Sequence, residues 1–128
     1  MNWQYIGGFF DADGSVSVYK NGGYYRLSVA LYQNRPRGLK LLESIRDYTG
    51  LGQVIKNRNR HESYALEFYS NEAAIFLRSI APYTILKRAE VITALAFRET
   101  KNRFTFIPER IVELQERFSA QMKRLRGC

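Results

Sequence analysis

Two periods of hydrophobic patterning run along the chain, and the switches between them mark its elements. Tyr5 to Phe10 is apolar apart from its glycines and runs into Asp11-Ala12-Asp13-Gly14, which predicts a short buried helix stopped by Gly14. From Ser15 the period is two: Ser15, Ser17 and Tyr19 alternate with Val16 and Val18, and Asn21-Gly22-Gly23 supplies a turn. The return strand, Tyr24 to Gln33, sets Tyr25, Leu27, Val29 and Leu31 on one face and Tyr24, Arg26, Ser28, Ala30 and Tyr32 on the other. Pro36 and Gly38 break the pattern, after which Leu39, Leu42, Ile45 and Tyr48 form a helical stripe ended by Gly50. A second hairpin joins Gly52–Asn57 to Tyr64–Tyr69 through the polar stretch 58–63. Helices are predicted from Asn71 to Pro82, from Lys87 to Thr100 and after Pro108.

The order α-β-β-α-β-β-α-α-α predicts an α+β domain, a four-stranded antiparallel sheet with helices on one face. The other face, carrying Tyr19, Tyr24, Arg26 and Tyr32, is then left open. A face of basic and aromatic side chains suits a nucleic-acid groove, the competing reading being a contact with another subunit.

Composition narrows the chemistry. The chain has 128 residues and a formal net charge of +8, one domain's worth of basic protein with enough apolar residues for a core. One cysteine, Cys128, excludes an internal disulfide framework and a cysteine-based zinc site, and one histidine, His61, excludes catalysis built on several histidine ligands. No apolar run approaches the roughly 18 residues of a membrane span, and Met1-Asn2-Trp3-Gln4 has no charged signal start, so an intracellular protein with no membrane partner is expected. Residues 20–60 carry nine bases against two acids, whereas residues 1–19 carry only Asp11 and Asp13. Such asymmetry suits a polyanion partner beside a small acidic site.

Gly7 and Gly8 each cost on the order of 1 kcal/mol inside a helix, so something must offset them. A close contact with a second copy of the same helix and a glycine packed beneath an aromatic of its own subunit are both open. Asp11 and Asp13 lie where a helix dipole disfavours carboxylates, which suits either a bound cation or an ordinary helix-end turn.

Together, Ile6-Gly7-Gly8-Phe9-Phe10-Asp11-Ala12-Asp13-Gly14 resembles the signature of the LAGLIDADG homing endonucleases, departing at Gly7, where alanine is usual. The element order, Gln33 at the end of the second strand, Gly50-Leu51-Gly52 before the third and Leu86-Lys87-Arg88-Ala89-Glu90 at a late helix extend the resemblance over the whole chain, 1–128, with one motif at 5–14 and C-terminal helices at about 87–126. The resemblance implies an αββαββα domain whose sheet forms a DNA-binding saddle. It implies a homodimeric, site-specific double-strand DNA endonuclease of intron-encoded type that hydrolyses phosphodiester bonds with Mg²⁺. Mn²⁺ is a substitute, and Ca²⁺ is expected to bind without supporting cleavage. The partner would be duplex DNA, a pseudo-palindromic site of about 20 base pairs.

Carried over residue by residue, the resemblance makes Asp13 the metal-binding acid, with Ala12 adding its backbone carbonyl. Gln33 and Lys87 match the basic pocket around the attacking water, Asn34 replacing Gln33 if the register slips by one. Asp11 caps or orients the helix end, and Ile6, Gly7, Gly8, Phe10 and Asp11 form the dimer interface. DNA contacts fall on Ser15, Ser17, Tyr19, Tyr24, Arg26, Ser28 and Tyr32 in the first hairpin and on Gln53, Asn57, Arg58, Arg60, Glu67 and Tyr69 in the second. The stretch Lys123-Arg124-Leu125-Arg126 adds diffuse phosphate affinity. The alternatives are an RNA-splicing maturase or a non-cleaving DNA-binding protein of the same fold, and, from a different class, a basic ribosome-associated protein.

Overall fold

A computed structural model describes residues 1–57, 62–100 and 109–127. The expected positions Arg58, Arg60 and His61 lie outside the described residues, as does the side chain of Asn57. The elements are α1 (Trp3–Asp13), β1 (Gly14–Asn21), β2 (Tyr24–Asn34), α2 (Arg35–Thr49), β3 (Gln53–Asn57), β4 (Ser63–Tyr69), α3 (Ser70–Ile80), α4 (Arg88–Glu99) and α5 (Glu109–Gly127), with a 3₁₀ turn at Ala81–Tyr83. No helix of the described residues is long and apolar enough to cross a membrane.

The strands form one antiparallel sheet in the order β1-β2-β4-β3. Local chemistry sets the boundaries. Asn2 caps α1 by accepting the Tyr5 amide at 2.8 Å. Gly22 turns the first hairpin at φ 67°, and Gly50 ends α2 in the left-handed region at φ 69° while donating its amide to Arg46. The helix α2 begins earlier than its apolar stripe suggests: Pro36 and Gly38 both lie inside it, because proline is tolerated in a first helical turn, where its missing N–H would have no partner.

Alternation decides the two faces. Val16, Val18, Leu27, Val29, Leu31, Leu66 and Phe68 are buried beneath the helices. Their neighbours Ser15, Ser17, Tyr19, Tyr24, Arg26, Ser28, Tyr32, Gln53, Glu67 and Tyr69 stand on the opposite face, partly or fully exposed. The hydroxyls of Ser17 and Ser28, cross-strand partners, lie 2.8 Å apart there. Phe68 stacks on Phe76 of α3 with ring centroids 4.2 Å apart, and Phe10 of α1 meets Phe76 edge to face. Each such buried ring stabilises the sheet-to-helix contact by about 2–3 kcal/mol.

The core claims most of the residues expected at a dimer interface. Ile6 and Phe10 are wholly buried within the one chain. Gly7 is buried too, and a Cβ placed on it would stand 2.6 Å from the Cβ of Tyr83. That glycine is needed for the approach of the 3₁₀ turn to α1 in the same subunit. The helix buries one stripe, and Ile6, Gly7 and Phe10 lie on it at i, i+1 and i+4. Gly8 faces open space, so the exposed face of α1 is Gln4, Tyr5, Gly8 and Ala12.

Candidate active site

The end of α1 delivers Asp13 to the surface where the chain turns into β1. Gln33, one residue from the end of β2, donates from Nε2 to Asp13 Oδ2 at 3.2 Å. It is Gln33 that meets Asp13; Asn34 is exposed at the N-cap of α2. Room for Gln33 comes from Gly38, where a Cβ would lie 2.7 Å from that of Gln33. A glycine inside a helical stretch was the available signal of a close approach.

Lys87 arrives from the other side. It occupies the N-cap position of α4, and its Nζ donates to the carbonyl of Gly14 and, at 3.5 Å, to that of Phe10. The ammonium also lies 5.8 Å from the centroid of the Phe10 ring. Sequence positions 13, 33 and 87 therefore converge at one corner of the molecule, at the margin of the open sheet face.

Asp11 organises this corner. Its Oδ2 accepts the amides of Ile85 at 2.7 Å and Leu86 at 3.0 Å, and its Oδ1 accepts that of Lys87 at 3.0 Å. The helix that Asp11 caps is thus α4 and not its own. Burial by itself raises the Asp11 carboxyl, but the hydrogen bonds from Ile85, Lys87 and Leu86 and the charge of Lys87 outweigh it and hold the pKa below its ordinary value. With both oxygens so engaged, Asp11 ties the end of α1 to the start of α4 within its own subunit. The segment it pins carries Ile85 and Leu86, which are 84% and 74% exposed, the most exposed large apolar residues among those described.

On the open face, Tyr69 donates its hydroxyl to Glu67. That bond, with smaller contributions from burial and from the charge of Glu67, pushes the phenol up to about 12. Glu67 pairs with Gln53 on β3 and with Ala30 on β2, so it stands at the middle of the face as its one carboxylate among the described residues. Tyr19 and Arg26 are cross-strand neighbours, and Tyr24, Arg26 and Tyr32 are exposed. The face offers donors, acceptors and aromatic surface over four strands, which fits base edges and phosphates of a duplex.

Among the described residues no three His, Cys, Asp or Glu side chains cluster as a ready-made metal cage. Asp13 is a hard oxygen donor at the surface with one carboxylate oxygen engaged by Gln33. A site of one carboxylate suits Mg²⁺, which retains waters and completes its shell with substrate phosphate.

The family model described as LAGLIDADG endonuclease matches residues 6–99. Solved structures share the fold. The archaeal intron-encoded homing endonuclease I-Vdi141I, complexed with DNA, superposes with a TM-score of 0.82 at 19% identity over 96% of this chain and 82% of its own. The homing endonuclease I-CvuI, in complex with its target in the presence of Ca, gives 0.79 at 19% identity over 96% and 80% of the two chains. The LAGLIDADG meganuclease I-AabMI, bound to uncleaved DNA, gives 0.79 at 17% identity, with 94% of this chain covering 44% of that one. No curated protein matches the chain by sequence.

Proposed function

The chain belongs to the LAGLIDADG endonuclease family, and from that premise we propose that it is a site-specific double-strand DNA endonuclease of the intron-encoded homing type. It hydrolyses phosphodiester bonds with a divalent metal, Mg²⁺, as a homodimer. The observation that carries this reading is the convergence of Asp13, Gln33 and Lys87 beside an open polar and aromatic sheet face.

Asp13 and the backbone carbonyl of Ala12 would hold the ion. When bound, it supplies Lewis-acid polarisation of the phosphate and a water acidified toward hydroxide. This chain does the rest. Gln33 restrains Asp13 through Oδ2 and leaves Oδ1 available. Lys87 holds positive charge beside the Gly14 carbonyl, where negative charge develops on a phosphate seated against Asp13. The sheet face positions the duplex through Arg26, Tyr24, Tyr32, Gln53 and their neighbours. I-CvuI was also solved with a target, uncleaved, in the presence of Mg, so the presence of Mg and cleavage are separable in a protein of this fold.

One chain supplies one Asp13, and cutting both strands needs two. The exposed face of α1, with Tyr5 49% exposed and Gly8 in open space, and the exposed apolar pair Ile85 and Leu86, whose amides Asp11 of α1 accepts, make a surface suited to a second copy of the chain. Two-fold symmetry then implies a pseudo-palindromic site of about 20 base pairs.

The test is cleavage of the duplex formed by joining the sequences that flank the host intron, with Mg²⁺. Specific double-strand cutting that Asp13→Asn abolishes, by a protein that sediments as a dimer, supports the reading. Wild-type protein that cuts nothing but binds the intron RNA tightly would replace it with a maturase.

A further inference from the structure

The long helix α5 is held against the edge strand β1. Ser119 is buried and donates its hydroxyl to the carbonyl of Val18 at 2.7 Å, and Met122, one turn on, is 1% exposed. From Ser119 to Arg126 the helix advances about 10 Å. Going back along β1 from Val18 to Gly14 covers about 13 Å. The end of α5 therefore reaches the start of β1, where α1 presents Asp13. There Leu125 and Arg126 join Gly14, Ser15, Val16, Leu86, Lys87 and Glu90 around a cleft of about 310 Å³.

The walls of this cleft have a definite chemistry. Val16, Leu86 and Leu125 are apolar, which strengthens electrostatics inside it. Lys87 and Arg126 bring two cations against the single carboxylate of Glu90. Lys87 directs its ammonium to the Gly14 and Phe10 carbonyls. Arg126 is exposed and planar, with five donors in a fork that matches two phosphate oxygens. It also ends a helix whose dipole favours positive charge at that end. Arg124, two residues earlier on α5, instead donates to Gln121 at 2.9 Å and does not line the cleft.

We infer that Arg126, delivered by α5 into the cleft of Lys87 and Gly14, the residue that follows Asp13, contacts a backbone phosphate at the cut and completes the active site. This rests on the endonuclease reading and adds to it a catalytic residue from the far end of the chain. It assigns Arg126 a placed contact instead of the diffuse affinity expected of the basic stretch 123–126.

The experiment uses the full chain and a duplex that the wild type cleaves, selected from randomised palindromic sequences. Single-turnover cleavage at saturating protein with Mg²⁺ is compared with affinity and its salt dependence with Ca²⁺. We expect Arg126→Gln to slow cleavage at least about tenfold, with Kd changed less than about threefold and partial recovery in Arg126→Lys. Arg78→Gln, at an exposed position of α3, should cleave at the wild-type rate. Cleavage by Arg126→Gln at the wild-type rate, or a loss confined to affinity, would overturn the assignment. A wild type that binds duplex but cuts none defeats the endonuclease reading instead. In that case a salt slope lower by about one in Arg126→Gln still upholds the phosphate contact, and an unchanged slope removes it.

Discussion

The Asp11 carboxylate accepts the amide of Lys87 at 3.0 Å, while the ammonium of that same lysine returns to the carbonyls of Phe10 and Gly14 on either side of the acid pair. The Asp11 carboxylate and the Lys87 ammonium tie the end of α1 to the start of α4 across 76 positions of sequence. The first acid of the motif is thus the clamp that sets the N-terminus of α4, and the second stays at the surface with Gln33 on one oxygen.

Replacing Asp11 by alanine removes the acceptor for three amides at once. We expect a loss of about 1–2 kcal/mol, read as a lower urea midpoint with an unchanged slope. Cleavage should fall as well, because Lys87 loses its anchor, and Asp11→Asn should recover part of both.

The Asp11 clamp also makes stability pH-dependent. The folded pKa lies below the ordinary 3.8, so the unfolded chain binds the proton more readily. The stabilisation is fully present above pH 3.8 and is lost as pH falls through the lowered value. Urea midpoints of wild type and Asp11→Asn should differ by a constant amount near neutrality and converge below pH 3.8.

The two motif glycines should respond oppositely to alanine. Gly7→Ala meets the Tyr83 Cβ at 2.6 Å, a backbone-adjacent atom that cannot swing away, and should destabilise by about 1–3 kcal/mol despite the gain in helix propensity. Gly8→Ala meets nothing within 4 Å and should stabilise the single chain by about 0.5–1 kcal/mol. Its cost should instead be seen in sedimentation, as a weaker dimer.

Tyr69 should be among the last tyrosines to ionise. Its phenol, pushed up to about 12 chiefly by the bond to Glu67, contributes stability below pH 10 that is lost as pH rises through about 12. Absorbance titration of wild type minus Tyr69→Phe isolates it, and Glu67→Gln should bring it back toward 10.

Gly38→Ala would press a methyl group against Gln33, whose Cβ lies 2.7 Å from that position. Displacing the amide from Asp13 should slow cleavage at least about tenfold while leaving affinity for the duplex, measured with Ca²⁺, within about threefold. An unchanged rate would show that Gln33 needs no such room.

Much of the molecule was legible from spacing alone. Alternation in 15–19 and 24–33 placed Tyr24, Arg26, Ser28 and Tyr32 on the open face, and the structure has them there. Gly50 and Asn21-Gly22-Gly23 marked a helix end and a turn, because a positive φ is a local demand that glycine meets. The motif pointed to Asp13, and the family resemblance to Gln33 and Lys87.

Tertiary structure decided what local pattern does not encode. The apolarity of Ile6 and Phe10 suits an interface as well as a core, and only the packing of α1 against Phe76, itself stacked on Phe68, makes them core. Asp11 reads as a helix-end acid until α4 is seen to start on it. Arg126 reads as one base among several until α5 is docked along β1. Periodicity reports which side of an element faces apolar surroundings. Which partner supplies those surroundings depends on contacts between residues far apart in sequence, such as Phe10 with Phe76 and Val18 with Ser119, and these exist only once the chain has folded.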